Sequence, residues 1–269
     1  MRLLLVADLH YSLPQFDWVL DMAPDFDVVV MAGDHLDLGS IVDGRAQSVV
    51  VRKYFSRLRA KTRLVTCSGN HDLDSKNEAG EKTARWLKAP HNEGVPSDGE
   101  SFELGGILFT VCPWWDGPVV RAGIGEQLAE AASAKTTKPW IWVHHAPPAG
   151  SPTSWGGNRF FGDVELREWI ERYQPNIVLS GHVHQSPFIK EGSWVDRIGH
   201  TWVFNAGQQF GAPPAHVIID TEAGEALWFS AAGNQVVSLV DPLERPVKRL
   251  EAVPDWLRAS DRPRSQGLG

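Results

Sequence analysis

The stretch Ser68-Gly69-Asn70-His71-Asp72 follows a short apolar run, Arg63-Leu64-Val65-Thr66-Cys67. A run of this length that stops at glycine and polar residues is typical of a buried strand followed by a loop. The asparagine offers a neutral oxygen to a metal ion, and the imidazole can hold or release a proton near neutral pH. Because Asp72 directly follows His71, we expect it to orient or acidify that ring. The stretch predicts a polar site at the end of a strand.

Four further apolar runs end in side chains of the same chemical character. Each run is predicted to be a strand, and ligands of open α/β sheets bind beyond the carboxyl ends of the strands. The side chains that follow the five runs are therefore expected to meet. They are Asp8 and His10, Asp34, Asn70 and His71, His144, and His182 and His184.

This set of donors indicates a metal centre. Imidazole, carboxylate and amide ligands suit Mn, Fe or Zn better than Ca or Mg, and the lack of thiolates argues against a structural zinc finger. The set is also larger than one ion needs. The sequence therefore predicts two divalent metal ions that share one carboxylate.

The composition bounds the class of protein. The 269 residues, of which 42% are hydrophobic and 22% charged, suffice for a large α/β domain. The formal net charge of −7 makes nucleic acid an unlikely partner on electrostatic grounds. Cys67 and Cys112 each end an apolar run, which favours two buried thiols over a disulfide. We expect a cytoplasmic protein with a small-molecule substrate and no membrane span or signal peptide; the oligomeric state stays open.

The patterning along the chain predicts alternating strands and helices, then strands alone. Helices are expected at residues 14–22, 47–60, 76–88, 123–135 and 163–173. Beyond residue 194, short strands at 201–204, 216–220, 226–230 and 235–240 predict an antiparallel meander. Residues 1–253 are expected to form one domain, and residues 254–269 a frayed tail.

The chemical groups follow one another as Asp-x-His, Gly-Asp-x-x-Asp, Gly-Asn-His-Asp, a histidine after a strand, and Gly-His-x-His, with Asn205-Ala206-Gly207 behind them. Each piece is common alone, but the joint order resembles the calcineurin-like metallophosphoesterase family over residues 3 to about 207. The resemblance implies an α/β fold that is a four-layer α/β/β/α sandwich of two mixed sheets. The implied ligands are Asp8, His10 and His184 for one ion, Asn70, His144 and His182 for the other, and Asp34 as the bridge.

The resemblance also implies a reaction, the hydrolysis of a phosphomonoester or, slightly favoured, a phosphodiester. A hydroxide between the two ions would attack phosphorus. His71 would protonate the leaving oxygen or stabilise the transition state, and Asp72 would orient its ring. His144 is preferred over His145 as the ligand, because in the family the first residue after the strand binds the metal.

Weaker candidates for substrate contacts are His145, Trp114, Trp115 and Arg159. An indole can stack on a ring, and a guanidinium can clamp a phosphate, although packing within their own loops or simple solvation explains the tryptophans and Arg159 more easily. His145 borders the predicted site and could touch a phosphate, so for this residue the two explanations are about equally good. A nuclease of the same family and a non-catalytic protein-interaction scaffold are the alternative functions. The complete set of ligand positions favours an enzyme over a scaffold.

Overall fold

Two β-sheets packed face to face form the centre of the protein, which we describe from a computed structural model over residues 1–88, 92–134 and 137–258. The strands are β1 (Arg2–Val6), β2 (Val28–Ala32), β3 (Arg63–Cys67), β4 (Ser75–Lys76), β5 (Lys82–Thr83), β6 (Glu100–Leu104), β7 (Ile107–Val111), β8 (Trp140–Val143), β9 (Ile177–Ser180), β10 (Val195–Ile198), β11 (Thr201–Asn205), β12 (His216–Asp220), β13 (Glu225–Ser230), β14 (Gly233–Ser238) and β15 (Lys248–Arg249). The helices are α1 (Leu13–Met22), α2 (Gly44–Arg59), α3 (Pro118–Ala134), α4 (Val164–Tyr173) and α5 (Asp255–Arg258).

Both sheets mix parallel and antiparallel pairs. Within the described residues, the first sheet has seven strands in the order β15-β14-β13-β12-β1-β2-β3, and the second has six in the order β10-β11-β9-β8-β7-β6. The pairs β1-β2 and β2-β3 are parallel. The pairs β7-β8, β8-β9 and β9-β11 are also parallel. Each sheet therefore brings several carboxyl ends to one edge.

Strand alternation explains the layers. In β1, Leu3 and Leu5 face the core between the two sheets, whereas Leu4 packs under α1 and α2, because successive side chains of a strand point to opposite faces. In β8, Ile141 faces the inter-sheet core and Trp142 faces α3 and α4. Helices thus cover the outer face of each sheet, and the predicted four-layer α/β/β/α sandwich is confirmed.

The structure differs from the sequence-based elements in two segments. Residues 76–88, predicted as a helix, contain the β4-β5 hairpin and a 3-10 turn at Arg85–Lys88. After residue 194 the chain does not form one meander: β10 and β11 join the second sheet, and β12, β13 and β14 continue the first. The spacing of apolar residues does not separate a short helix from a hairpin over residues 76–88. It also does not show which of the two sheets a short strand joins.

The two cysteines are free and buried, as the sequence indicates. Of the tail predicted to fray, residues 259–269 lie outside the described residues. Residues 255–258 form α5, where Trp256 donates its indole N–H to Glu225 at 2.8 Å. Among the described residues, no helix has the length and apolar character needed to cross a membrane.

His216, at the start of β12, generates a prediction about stability and pH. Its Nδ1–H donates to the Pro214 carbonyl at 2.8 Å, and its ring packs against Trp18 and Phe229. Burial lowers the pKa of His216 to about 4, below the value near 6.5 of an unfolded chain. As the pH falls from about 6.5 towards 4, His216 therefore binds a proton in the unfolded state but not in the folded state. The free energy of unfolding decreases over this range of pH.

We expect His216→Phe to remove this part of the acid sensitivity. Relative to its own value at pH 7, the variant should lose about 2 to 3 kcal/mol less stability at pH 4.5 than the wild type. Urea unfolding of chelator-treated protein at both pH values measures the difference, with the exposed His200→Phe as a matched control. If the wild type and the variant differ by the same free energy of unfolding at both pH values, the prediction is wrong.

Candidate metal centre

The side chains singled out in the sequence come from loops at the carboxyl ends of strands in both sheets. Asp8 and His10 follow β1, Asp34 follows β2, and Asn70 and His71 follow β3. The second sheet contributes the residues after β8 and β9. Because the two sheets pack face to face, these loops meet above the inter-sheet core.

Among the described residues, three groups of ligating atoms lie here, each within 4.8 Å, and Asp34 belongs to two of them. The first group contains Asp8, His10, Asp34 and His184, and the second contains Asp34, His145 and His182. A third group, His10, Asp37 and His71, lies at the open side. In the first group, Nε2 of His184 lies 3.2 Å from Oδ1 of Asp8. Asp34 is the member that the first and second groups share. The arrangement could hold metal ions at two neighbouring positions.

The environment of His145 fits a metal ligand. Its Nδ1–H donates to the Ala32 carbonyl at 2.6 Å, so Nε2 carries the lone pair when the ring is neutral. Nε2 is buried and lacks a hydrogen bond, and it lies 3.2 Å from Oδ2 of Asp34 and 3.8 Å from Oδ1 of Asp8. A buried lone pair facing two carboxylates is the environment that a cation satisfies.

Two further contacts fit the same interpretation. Nε2 of His10 and Nε2 of His184 are 3.1 Å apart. Nδ1 of His182 and Oδ1 of Asn70 are 3.0 Å apart. Each distance is short enough for a hydrogen bond from a ring N–H, and an ion between the two atoms could also be bound by both of them.

The structure brings His145, and not His144, into this cluster, which differs from the sequence-based choice. His144 faces away, towards the start of α4, where its Nε2 lies 3.4 Å from Oδ2 of Asp163. That carboxylate also accepts the indole N–H of Trp115 at 2.6 Å and caps α4 through the Leu166 N–H at 3.0 Å. His144 continues the outward-facing positions of β8, and His145 continues the positions that face the sheet interface.

Asp72 also differs from its expected role. It does not contact the His71 ring; its Oδ2 lies 2.9 Å from Nδ1 of His35, and its carboxylate accepts backbone N–H groups from His35, Leu36 and Gly69. The other ring nitrogen of His35 lies 2.8 Å from the hydroxyl of Thr66. This fully buried pair fastens the loop after β2 to the loop after β3.

His71 lies at the open side of the cluster and is held by other groups. Its backbone N–H donates to Oδ1 of Asp34 at 2.8 Å, and its Nδ1 accepts the Leu38 N–H at 3.4 Å. Its Nε2 is 4.0 Å from Oδ2 of Asp34, and its ring centroid is 4.5 Å from that of His10. Since Nδ1 is an acceptor, Nε2 carries the proton of the neutral ring and faces the cluster.

The electrostatics keep the carboxylates ionised. Burial raises the pKa of Asp34, but the charge of His145 and the hydrogen bond from the His71 N–H lower it more, to well below its usual range. Burial lowers the pKa of His145, but Asp34 and Asp8 outweigh this and raise it to about 9. Burial and the charge of His145 lower the pKa of His182 to about 4. The site therefore attracts cations and keeps at least one imidazole neutral.

The backbone is strained where the ligands leave the strands. Asp8, His10, Asp34 and His182 have φ values of 56°, 42°, 52° and 68°, a left-handed conformation that costs residues with a Cβ about 1 to 3 kcal/mol each. Gly181 lets the second sheet approach, because a Cβ there would lie 2.5 Å from Oδ2 of Asp8. Such strain persists only where the surroundings compensate, as at functional sites.

The weaker candidates for substrate contacts lie at different distances from the cluster histidines. Trp114 is close: its ring centroid is 5.0 Å from that of His182 and 5.7 Å from that of His145. Trp115 is engaged by Asp163 and lies 5.2 Å below the Arg121 guanidinium. Arg159 is exposed and stacks 4.5 Å over Phe161 in its own loop. Only Trp114 of these three contacts the ring of a cluster histidine among the described residues.

A sequence profile of the calcineurin-like phosphoesterases matches residues 1–186. The chain belongs to this family. Two relatives share 26% identity with it. One is the UPF0046 protein K07C11.7 of Caenorhabditis elegans, over 77% of this chain and 70% of that protein. The other is the D subunit of nuclease SbcCD of Rhodobacter capsulatus, over 99% of this chain and 78% of that protein.

Solved structures share the fold. TT1561 of Thermus thermophilus has a TM-score of 0.54 at 16% identity, covering 88% of this chain and 98% of that one. A dimetal phosphatase from Danio rerio has a TM-score of 0.55 at 11% identity, covering 89% and 99%. The purple acid phosphatase PPD1 from yellow lupin has a TM-score of 0.52 at 14% identity, covering 90% and 52%.

The contrast between the two adjacent histidines generates a prediction. We expect His145→Asn to weaken Mn²⁺ binding by about 100-fold or more, because removal even of a supporting residue around a metal ligand costs 10- to 100-fold. His144→Asn should leave the metal content unchanged, because its ring faces α4. Elemental analysis after dialysis and calorimetric Mn²⁺ titration measure both. Equal losses in the two variants, or a loss in His144→Asn alone, would overturn this placement.

Proposed function

We propose that the protein is a metal-dependent phosphoesterase with two divalent ions in this centre. The observation that carries the proposal is the position of Asp34, which belongs to two of the groups of ligating atoms. The family membership supports the same activity. In this proposal Asp8, His10 and His184 would hold one ion, Asn70, His145 and His182 would hold the other, and both would share Asp34.

The donors favour Mn, Fe or Zn, because imidazole nitrogens predominate and thiolates are lacking in the set. When bound, such a pair of ions neutralises charge on the phosphoryl oxygens and lowers the pKa of water, so that a nucleophile is available at neutral pH. The protein's own contribution is to fix the carboxylates through backbone donors. The His182 N–H donates to Asp8 at 3.0 Å, and the His71 N–H donates to Asp34.

His71 is the proposed general acid. The Leu38 N–H bonded to its Nδ1 leaves the proton on Nε2, which faces the cluster at its open side. From there it can donate to the leaving oxygen of a phosphate ester. In this assignment the backbone of Leu38 orients the ring, and the pair of Asp72 and His35 supports the loop from behind.

A nuclease is the second candidate, because the similarity to the D subunit of nuclease SbcCD extends over 99% of this chain. The net charge of −7 argues against a broad contact with phosphate backbones. The basic face of α2, with Arg52, Lys53 and Arg57, carries the opposite charge. Short DNA duplexes and single strands therefore belong in the substrate panel.

A substrate panel tests the proposal directly. We expect protein loaded with Mn²⁺, Zn²⁺ or Fe²⁺ to hydrolyse aryl phosphates, with bis-aryl esters slightly favoured over mono-aryl esters, and Mg²⁺ to support less activity because this ion prefers oxygen ligands. Release of the nitrophenol measures the rate, and chelator-treated protein is the control. Lack of turnover on every ester and on DNA with all four metals would indicate the protein-interaction scaffold instead.

The proposed division of labour predicts different effects for two substitutions. His71→Asn should lower kcat by about 10²- to 10⁴-fold, the usual contribution of general acid catalysis, while the metal content stays unchanged. Asp34→Asn should reduce both rate and metal content, because it removes the shared ligand. His200→Asn, on the exposed surface, is the control. Metal loss from the His71 variant with a retained rate would contradict the roles assigned to both residues.

A further inference from the structure

A cavity of about 470 Å³ lies beside His71, between the loop after β2 and the start of α2. A second cavity of about 350 Å³ lies on the other side and is lined by His10, His184 and His71. His71 and Asp37 line both cavities. The first cavity, which we call the leaving-group pocket, thus begins at the proposed acid and contains none of the proposed metal ligands.

This position suits one part of the substrate. A phosphoryl group must lie against the metal ligands, and the oxygen that leaves must lie within reach of the acid that protonates it. The substituent on that oxygen then continues beyond His71. Of the two cavities that His71 lines, the leaving-group pocket is the one without proposed metal ligands, and its volume falls in the range of small-molecule sites.

The pocket has an apolar wall that the fold leaves uncovered. Leu36 and Leu73 form its floor, and Leu38, Ile41 and Val42 form its rim. Leu38 is 68% exposed and Ile41 is fully exposed. Because the removal of apolar surface from water is favourable, an apolar group seated between these residues would be bound by the burial of both surfaces.

The charges around the pocket act against an anion. Three carboxylates, Asp37, Asp43 and Asp74, line it together with one guanidinium, Arg45. Asp37 accepts the Gly39 N–H at 2.8 Å, which fixes one carboxylate at the rim. The surplus of negative charge disfavours leaving groups that carry a phosphate or a carboxylate.

We propose that the leaving-group pocket selects phosphate esters of apolar alcohols that carry no negative charge. The inference rests on the proposed phosphoesterase activity and names its substrate class. Leu38 and Ile41 are its specificity-determining residues. An anionic alcohol, such as a second phosphorylated sugar, fits the apolar rim and the acidic lining poorly.

The test uses nitrophenyl esters whose leaving phenols have matched acidity and carry a tert-butyl, a trimethylammonium or a carboxylate group. We expect kcat/KM to be about tenfold higher for the tert-butyl ester than for the carboxylate ester, a difference within the usual range of pocket selectivity. The trimethylammonium ester, which has the same shape but a positive charge, should lie between them. Ile41→Ala and Leu38→Ala should each lower kcat/KM for the tert-butyl ester by several-fold, mainly through KM. Val240→Ala, an exposed apolar residue outside both cavities, is the matched control.

Calorimetric binding of the corresponding aryl phosphonates gives a readout independent of turnover, and the same order of affinity is expected. Preference for the carboxylate ester, with loss of that preference in Arg45→Gln, would overturn the inference and assign an anionic substrate. Equal rates on all three esters, unchanged in the Ile41 and Leu38 variants, would overturn it while leaving the phosphoesterase activity intact. Lack of turnover on every ester would overturn both proposals together.

Discussion

Two carboxylates buried side by side, those of Asp8 and Asp34, are the constraint on which the rest of the site depends. A buried anion is stable only when it is paired or hydrogen-bonded. Around these two, the structure supplies imidazoles from His145 and His184 and the backbone N–H of His71. The carboxylates therefore stay ionised in the protein interior, and cations are the ligands that this charge favours.

The same constraint ties the site to the packing of the two sheets. Asp8 belongs to the first sheet, but both its oxygens accept the N–H of His182, at the end of a strand of the second sheet. The absence of a side chain at Gly181 permits this approach, and the left-handed backbone at Asp8 and His182 aims both groups at the cluster. This contact ties the candidate metal centre to the packing of the two sheets, so a shift of one sheet against the other would separate the clustered side chains.

Much of the fold and most of the cluster follow from the sequence, because continuous apolar runs mark the strands and polar groups mark their carboxyl ends. The alternation of side chains along a strand could have decided between His144 and His145. In β8, Ile141 and Val143 face the inter-sheet core, and the period of two carries this orientation on to His145. The partner of Asp72 could not be predicted from the sequence. Asp72 binds His35, which comes from another loop, whereas adjacency in the sequence favours His71.

The loop after β2 contacts the ring of His71 and also lines the neighbouring pocket. Through its backbone N–H, Leu38 orients the ring of His71; through its side chain, it forms the rim of the pocket beside that ring. Under the proposed roles, a group that packs against this rim would press on the segment that fixes the tautomer of His71. Binding energy from a remote, unreactive part of a substrate would then act on the position of the proton donor, and interactions of this kind raise kcat as well as affinity when they strengthen in the transition state. In the proposed enzyme, strand ends would supply the reactive groups, and the loop between β2 and α2 would select what they act on.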